Sequence, residues 1–572
     1  MNSNAPRNAR GLARYAAALF AGIAVSWALP AAGEQDGWSL FPPLVAILTA
    51  VATGRLALGL GTAIVAAAAI SMPDAGGWTF PFAVLQRAAV DFVWAPLRES
   101  FQLYILAFTA SLVGMVRVVV LAGGTQGIAD LLARRAQGAR SARLASFLMG
   151  MAIFFDDYAN TLVVGTTMRP ICDGFRVSRE KLAYIVDSTA APVAGLALIS
   201  TWIGYEVGLF EGVMKELNTG ISGYELFFLA LPSRFYCILS LVLVACTVLM
   251  RRDYGPMLRA ERRAAATGAV LRQGARPMTG ERSDSLKPPQ GVRPHWWIAA
   301  FPVGLVVFGV LGGMQWDAWD SPAVEAARRG FFPADGGYWI AVFSNASGAR
   351  VMFLASMAGT AAAAALALTR RSPDGVRPLL GPGGVAAAWI GGIASFRHAL
   401  VVLLLAWAIK EACQAVGTDD YLVSALGTSL APGLVPVATF LLAALVAFAI
   451  GTSWTTMAIL LPSVLPLAWE LGGMPVAVLT AAAVLDGAIF GDHCSPISDT
   501  TLLSSIAAAC DHMDHVRTQI PYALTAMAAA AALGYAGSAY LYPSWVGLLL
   551  GGAGLCVVVR LAGRDPEATS SP

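Results

Sequence analysis

The chain has 572 residues, 57% of them apolar and only 13% charged, with a net charge of +3 and a mean hydropathy of +0.65. A soluble domain carries roughly 25% charged residues, and a soluble core of this length could not hide so much apolar surface. A multi-pass membrane protein can, because about 20 apolar residues make one crossing. The cysteines (Cys172, Cys237, Cys246, Cys413, Cys494, Cys510, Cys556) mostly lie in or beside apolar runs, without zinc or disulfide spacing. Five histidines are few for a metalloenzyme, and there is no phosphate-cradling lysine loop. A metalloenzyme and an ATP-driven machine are therefore not expected, nor is an enzyme of any other kind, a cofactor or a nucleic-acid partner.

In chain order, Arg7, Arg10 and Arg14 precede the apolar stretch Tyr15–Pro30 and the small residues Ala31–Ala32–Gly33. This reads as a cleavable signal peptide or a first membrane helix, and the uncleaved helix is preferred. Residues 40–72 predict two crossings and 73–99 an amphipathic outer segment, so 1–99 forms an N-terminal scaffold piece. Arg and Lys in short loops mark the cytoplasmic side. Arg134–Arg143 and Arg169–Lys181 are two such stretches, and the segment 144–168 must leave the cytoplasm and return between them. At about 1.5 Å per residue it is too short to cross twice. A re-entrant hairpin fits, with Asp156–Asp157–Tyr158–Ala159–Asn160 at its tip. Leu182–Tyr205 then crosses outward, broken at Ser188–Thr189–Ala190–Ala191–Pro192, and Phe227–Met250 returns, completing a first repeat over 100–250.

The segment 251–294 is basic and rich in Gly, Pro, Ala and Ser, and reads as a disordered cytoplasmic linker. Connecting helices follow over 295–384: Trp296–Gly313 outward and Val351–Leu368 back to the basic stretch Arg370–Arg377. The second repeat, 385–520, runs the other way up. Val385–Ile409 crosses outward, Leu434–Trp469 forms a hairpin with Gly451–Thr452–Ser453–Trp454–Thr455–Thr456 at its tip, and Pro475–Ala509 crosses inward, broken at Gly491–Asp492–His493–Cys494–Ser495–Pro496. Asp511–Arg517 is placed in the cytoplasm, and two helices within 521–572 close the chain. The fold class is thus an all-α polytopic membrane protein with inverted-topology repeats, two re-entrant hairpins, two broken helices and about ten to twelve crossings.

Charged and helix-breaking residues in hydrocarbon survive only where protein or a watery cavity surrounds them. Two such interruptions at corresponding places in two halves point to a transporter's binding site. Carboxylates can alternately hold a proton or a cation, which makes Asp156, Asp157, Asp187, Asp492 and Asp499 the candidate titrating or ligating acids. Asn160, Thr161, Ser188, Thr189, Thr452, Ser453, Thr455, Ser495, Ser498 and Thr500 are the neutral oxygen donors a small cation such as Na⁺ would want. Competition between proton and cation for one site is a sufficient mechanism for exchange. Plainer roles are open at several positions. Asp156 or Asp157 can cap a hairpin limb, Asp187 can cap or pair with an Arg, and Asp486 can face the same cavity. Asp492 and Asp499 could share a face only if the helix ran through Pro496. His493 can relay protons or be packed; Arg397–His398 and Lys410–Glu411 set register or pair as ions. No intramembrane Arg or Lys stands out to grip a carboxylate substrate.

At FFDDYANTLVVGTTMRP (154–170), SREKLAYIVDSTAAPVAGLALISTW (178–202), LLLAWAIKEACQAVGTDDYL (403–422), GTSWTTMAILLPSVLPLA (451–468) and FGDHCSPISDTT (490–501), the sequence resembles the NhaC family of Na⁺/H⁺ antiporters. The resemblance implies a secondary transporter in the plasma (bacterial inner) membrane, with hairpin tips and broken helices forming the cation site and Na⁺ and H⁺ as cargo. The alternative it leaves open is a Na⁺- or H⁺-coupled carrier of a small organic acid or amino acid. Related folds imply a homodimer in which a transport domain slides past a fixed scaffold. The linker 251–294 is longer than the family pattern, and His493 occupies a position that varies within it.

Overall fold

The computed structural model describes residues 37–53, 56–72, 79–198, 200–277, 292–328, 336–370, 380–418, 421, 431–496 and 498–567. The N-terminal stretch 15–30, most of the basic stretch 370–377 and the linker part 278–291 lie outside them. Among the described residues every regular element is helical, as an apolar environment demands when each backbone N–H and C=O must find its partner within the chain.

An N-terminal pair, α1 (Phe41–Thr53) and α2 (Leu56–Ile70), is followed by the short α3 (Phe80–Arg87) and the long α4 (Ser100–Leu121). After α5 (Gly124–Ala133) comes the first hairpin, α6 (Ala139–Ala152) and α7 (Asp157–Gly174). The first broken helix is α8 (Arg179–Ala194) with α9 (Thr201–Glu216). α10 (Gly223–Ala230) and α11 (Phe235–Met250) meet at a 44° bend. Next come α12 (Gly255–Thr267), α13 (Trp297–Asp317), the short α14 (Pro322–Arg328) and α15 (Gly336–Asn345), α16 (Gly348–Thr369) and the 33-residue α17 (Pro382–Gln414). The second hairpin is α18 (Leu434–Ile450) and the first arm of α19 (Ser453–Cys494), which kinks at Gly473, where φ is 62°. The second arm of α19 and α20 (Asp499–Ala507) form the second broken helix. α21 (His512–Ala529) continues through a π-helical turn into α22 (Gly537–Tyr540), and α23 (Ser544–Ala562) ends the chain.

Six of these are long and apolar enough to cross a membrane, or seven with the bent α10–α11 pair. That is fewer than the ten to twelve crossings expected, because several expected crossings are too short as single helices: α1 has 13 residues, α2 has 15, and α8 and α9 have 16 each. Many large apolar side chains face outward, among them Phe82, Phe308, Trp316, Leu541 and Leu561, the pattern of a lipid-facing surface.

The two repeats exchange arms. α7 of the first hairpin lies along α20 of the second broken helix, with Leu162 in one cluster with Leu503 and Ala507. α19 of the second hairpin lies against α9 of the first broken helix, with the Trp454 ring stacked on Tyr205 at 4.2 Å and edge-on to Trp202. Each hairpin arm leads away from its tip beside the half-helix that leads away from the other repeat's break. This reciprocity is what an inverted repeat produces, and it brings both tips and both breaks to one level.

Other helices cross through close small-residue contacts, the usual contact between helices in lipid. Gly114 of α4 lies under the Trp389 ring of α17, and Gly359 of α16 lies against Val306 of α13. Gly208 of α9 faces Trp407 of α17.

Three positions differ from the sequence expectation. The helix runs unbroken through Ser188–Pro192, and the break falls at residues 195–200. Thr189 Oγ1 donates back to the Ile185 carbonyl at 2.8 Å, and Pro192 removes only one ladder bond near the helix end, so neither stops the helix. The second break falls at residues 495–498, just past the Gly491–Cys494 stretch where it was expected to begin. The expected disordered linker begins instead with the helix α12, docked by buried charges. Glu261 pairs with Arg143 at 3.1 Å and accepts from the Ser178 backbone at 2.7 Å.

Candidate functional site

The first hairpin turns because Asp156 caps α7, its Oδ1 accepting from the Ala159 backbone N–H at 2.7 Å. The second turns because Gly451 adopts φ 76°, a left-handed conformation natural to glycine, with Thr452 at the start of the next helix. Both tips are buried: Asp156, Asp157, Asn160, Thr161, Ser453 and Thr455 are all nearly or wholly inaccessible.

Polar contacts made by neighbouring residues of α8 and α19 connect the two tips. The Asn160 amide donates to the carbonyls of Gly150 (2.7 Å), Ile153 (3.0 Å) and Thr189 (2.9 Å), tying the first tip to α8. Beside Thr189, Ser188 meets His493 Nε2 of α19 at 3.1 Å. Beside His493, Asp492 accepts from Ser453 Oγ of the second tip at 3.2 Å. The residues singled out from two distant stretches of sequence therefore share one interior.

Asp187 is the hub. Its Oδ1 accepts from Ser504 at 3.1 Å, and its Oδ2 accepts from Thr501 at 3.1 Å and from the Gln519 amide at 2.6 Å. His493 and His515 stand 3.9 Å and 3.8 Å from Oδ2. Three donors and two rings thus converge on one buried carboxylate. Gln519 also donates to the His493 carbonyl, and Tyr236 meets His493 Nδ1 at 2.7 Å.

Other expected ligands are engaged locally. Thr189 bonds its own helix, Ser495 Oγ donates to the Phe448 carbonyl at 2.8 Å, and Ser498 caps α20 while meeting Thr500 at 3.0 Å. Asp499 opens α20, but its side chain lies outside the described residues, as does that of His398. The break before Asp499 separates it from the helix carrying Asp492, so the two do not share a continuous face. Lys410 pairs with Glu411 at 3.3 Å and Glu216 at 3.8 Å.

A buried arginine is present where none was expected. Arg234, at the α10–α11 bend, is 1% exposed. Its Nε donates to Asp486 at 2.9 Å, and its Nη1 donates to the Gly195 carbonyl at the first break (3.0 Å) and to Glu206 (3.4 Å). Asp486 in turn accepts from the Tyr236 backbone N–H (2.6 Å) and the Tyr535 hydroxyl (2.9 Å), so it braces the break rather than lining the Asp187 network. The signal was in the sequence: Leu231–Pro232–Ser233–Arg234 is itself a helix breaker plus a charge inside an apolar run. Lys181, read as part of a cytoplasmic loop, is fully buried in the first turn of α8 and pairs with Asp253 at 2.7 Å. His515, expected in the cytoplasm, is also fully buried.

A sequence profile described as the Na⁺/H⁺ antiporter family matches residues 193–538, more than half of the chain. An uncharacterized protein of Haemophilus influenzae is 30% identical over 531 residues, covering 91% of this chain and 94% of its own. The arginine/ornithine antiporter ArcD of Halobacterium salinarum is 48% identical over 87 residues, 15% of this chain and 17% of its own. Among solved structures, the Alcanivorax borkumensis YdaH transporter aligns with a TM-score of 0.51 at 15% identity, over 80% of this chain and 90% of that one, a likeness of fold.

Proposed function

The chain belongs to the Na⁺/H⁺ antiporter family, and on that premise we propose that this multi-pass membrane transporter exchanges cytoplasmic Na⁺ for external protons. The cation would be held by Asp156, Asp157 and Asp492 with Asn160, Thr161, Ser453 and Thr455. One observation carries the reading. Among the described residues, Asn160 Oδ1, Thr161 Oγ1 and Thr455 Oγ1 are buried oxygens without a hydrogen-bond partner, and they lie at the two hairpin tips beside the acids. Buried polar groups are normally paired, and a hard cation is what such oxygens suit. Asp187 is not counted among the cation ligands, because its oxygens already accept three bonds. It acts on the proton side.

Exchange follows from competition. A cation entering between the tips favours the ionised acids and expels their protons; protonation weakens the site and releases the cation. In everted vesicles, Na⁺ should dissipate an imposed pH gradient, and Asp157→Asn should abolish this while folded protein stays in the membrane. The rival is a carrier of a small organic or amino acid. Helix N-termini could hold its carboxylate, but no side-chain grip is offered by Arg234, which is committed to Asp486, Glu206 and a carbonyl. Uptake of a labelled amino or carboxylic acid with Na⁺, without gradient dissipation, would favour the rival.

A further inference from the structure

Behind Asp187 a line of side chains runs to the cytoplasmic end of α21. His512, half-buried there, and His515, fully buried, both point Nδ1 at one hydroxyl, Ser505 Oγ, at 3.0 Å and 2.9 Å. Their opposite nitrogens face acceptors. His512 Nε2 lies 2.7 Å from the Pro496 carbonyl, and His515 Nε2 lies 2.7 Å from Gln519 Oε1. The Gln519 orientation is fixed, because its amide nitrogen faces the Asp187 carboxylate and the His493 carbonyl, neither of which donates. Both rings must therefore carry their proton on Nε2.

Two neutral rings would then turn two bare Nδ1 lone pairs on Ser505, which has a single hydrogen, also within reach of the Thr501 carbonyl at 2.9 Å. At least one nitrogen would be left facing an oxygen lone pair in a buried site. One added proton removes the conflict: one ring becomes imidazolium and donates Nδ1–H to Ser505, and Ser505 donates its hydrogen to the other. We propose that the Ser505-bridged pair His512–His515 holds one proton beyond two neutral rings and passes it between the cytoplasmic face and Asp187.

The transfer balances. The His512 Nδ1–H bond breaks as an O–H forms on Ser505, while the former Ser505 O–H breaks and an N–H forms at His515 Nδ1. His515 can then give its Nε2 proton to Asp187 Oδ2, now 3.8 Å away, after a small ring movement, leaving a neutral ring and a neutral acid. The charged and titratable neighbours suit a mobile cation. Asp187 of α8 and His493 of α19 flank the inner end, with Asp511 and Asp514 at the cytoplasmic end, Asp514 held by Arg272 at 2.9 Å. From α20 the hydroxyls of Thr501, Ser504 and Ser505 line the path. The site stands whatever the cargo; its use in transport rests on the exchange proposed above.

The test is ¹⁵N magnetic resonance of the full chain, histidine-labelled, in lipid bilayers at neutral pH, with His512→Gln and His515→Gln assigning the signals. The wild type should show one doubly protonated ring shared by the pair. Ser505→Thr, which keeps the hydroxyl, should retain it, and Ser505→Ala should leave two neutral Nε2–H rings. In proteoliposomes Ser505→Ala should slow proton-coupled exchange about tenfold or more, as loss of a positioned proton carrier does. Two neutral rings in the wild type, or a doubly protonated ring that persists in Ser505→Ala, would overturn the proposal. Because this readout needs no cargo, its failure is distinct from failure of Na⁺/H⁺ exchange.

Discussion

Asp187 is a buried carboxylate defined by its donors, Thr501, Ser504 and Gln519. Asp187→Asn replaces one accepting oxygen with an N–H₂ group, so a bond from Ser504, or those from Thr501 and Gln519, loses its acceptor. A buried polar group left unsatisfied costs about 1–3 kcal/mol, so this variant should lower the unfolding temperature in detergent as well as transport. Arg234 is held by two acids and a carbonyl at the first break. Arg234→Met should destabilise by roughly 3–5 kcal/mol, because Glu206 and Asp486 lose their counter-charge. Adding Asp486→Asn should recover part of it, read as a partial return of the unfolding temperature. The acids and hydroxyls at the tips were legible in sequence because they interrupt apolar runs. The partners of Asp187 were not. Gln519, Ser504 and His515 lie far along the chain in unremarkable helical sequence, and only packing brings them, with Thr501 of the second break, to one carboxylate.

At the scale of helices, the hairpins were readable because charge and glycine in an apolar run too short to cross twice leave few alternatives. The position of the first break was not. Ser188, Thr189 and Pro192 look like a breaker, yet a hydroxyl that bonds back to its own helix and a proline near the helix end are both tolerated. The true break lies over Gly195–Ser200, where Ser200 caps α9 through Trp202 and Ile203. The reciprocal packing of α7 on α20 can be tested by size. A Cβ on Gly165 would lie 2.5 Å from Ala507 Cβ, so Gly165→Val should cost about 1–3 kcal/mol by overpacking. Ala507→Gly in the same chain should restore much of that stability in thermal unfolding. No recovery would mean that the two helices do not meet there.

For the whole molecule, composition alone argued for the membrane, and the charge of short loops for which way the chain crosses it. The structure adds the organisation: two repeats whose arms are exchanged, so that acids and unpartnered oxygens gather at the hairpin tips. Exchange by competition needs this arrangement, since cation and proton must meet the same carboxylates from either side. Buried pairs, Lys181 of α8 with Asp253 and Arg143 of α6 with Glu261, fasten α12 and the turn before it to the first repeat.

The most direct measurement is the uptake of radiolabelled Na⁺ into liposomes holding only the purified full chain, with the interior more acidic than the bath and the voltage clamped. Wild-type vesicles should accumulate Na⁺ against its gradient while their interior turns alkaline, and Asp157→Asn vesicles should do neither. Wild-type vesicles that stay acidic inside and take up no Na⁺ would contradict the account.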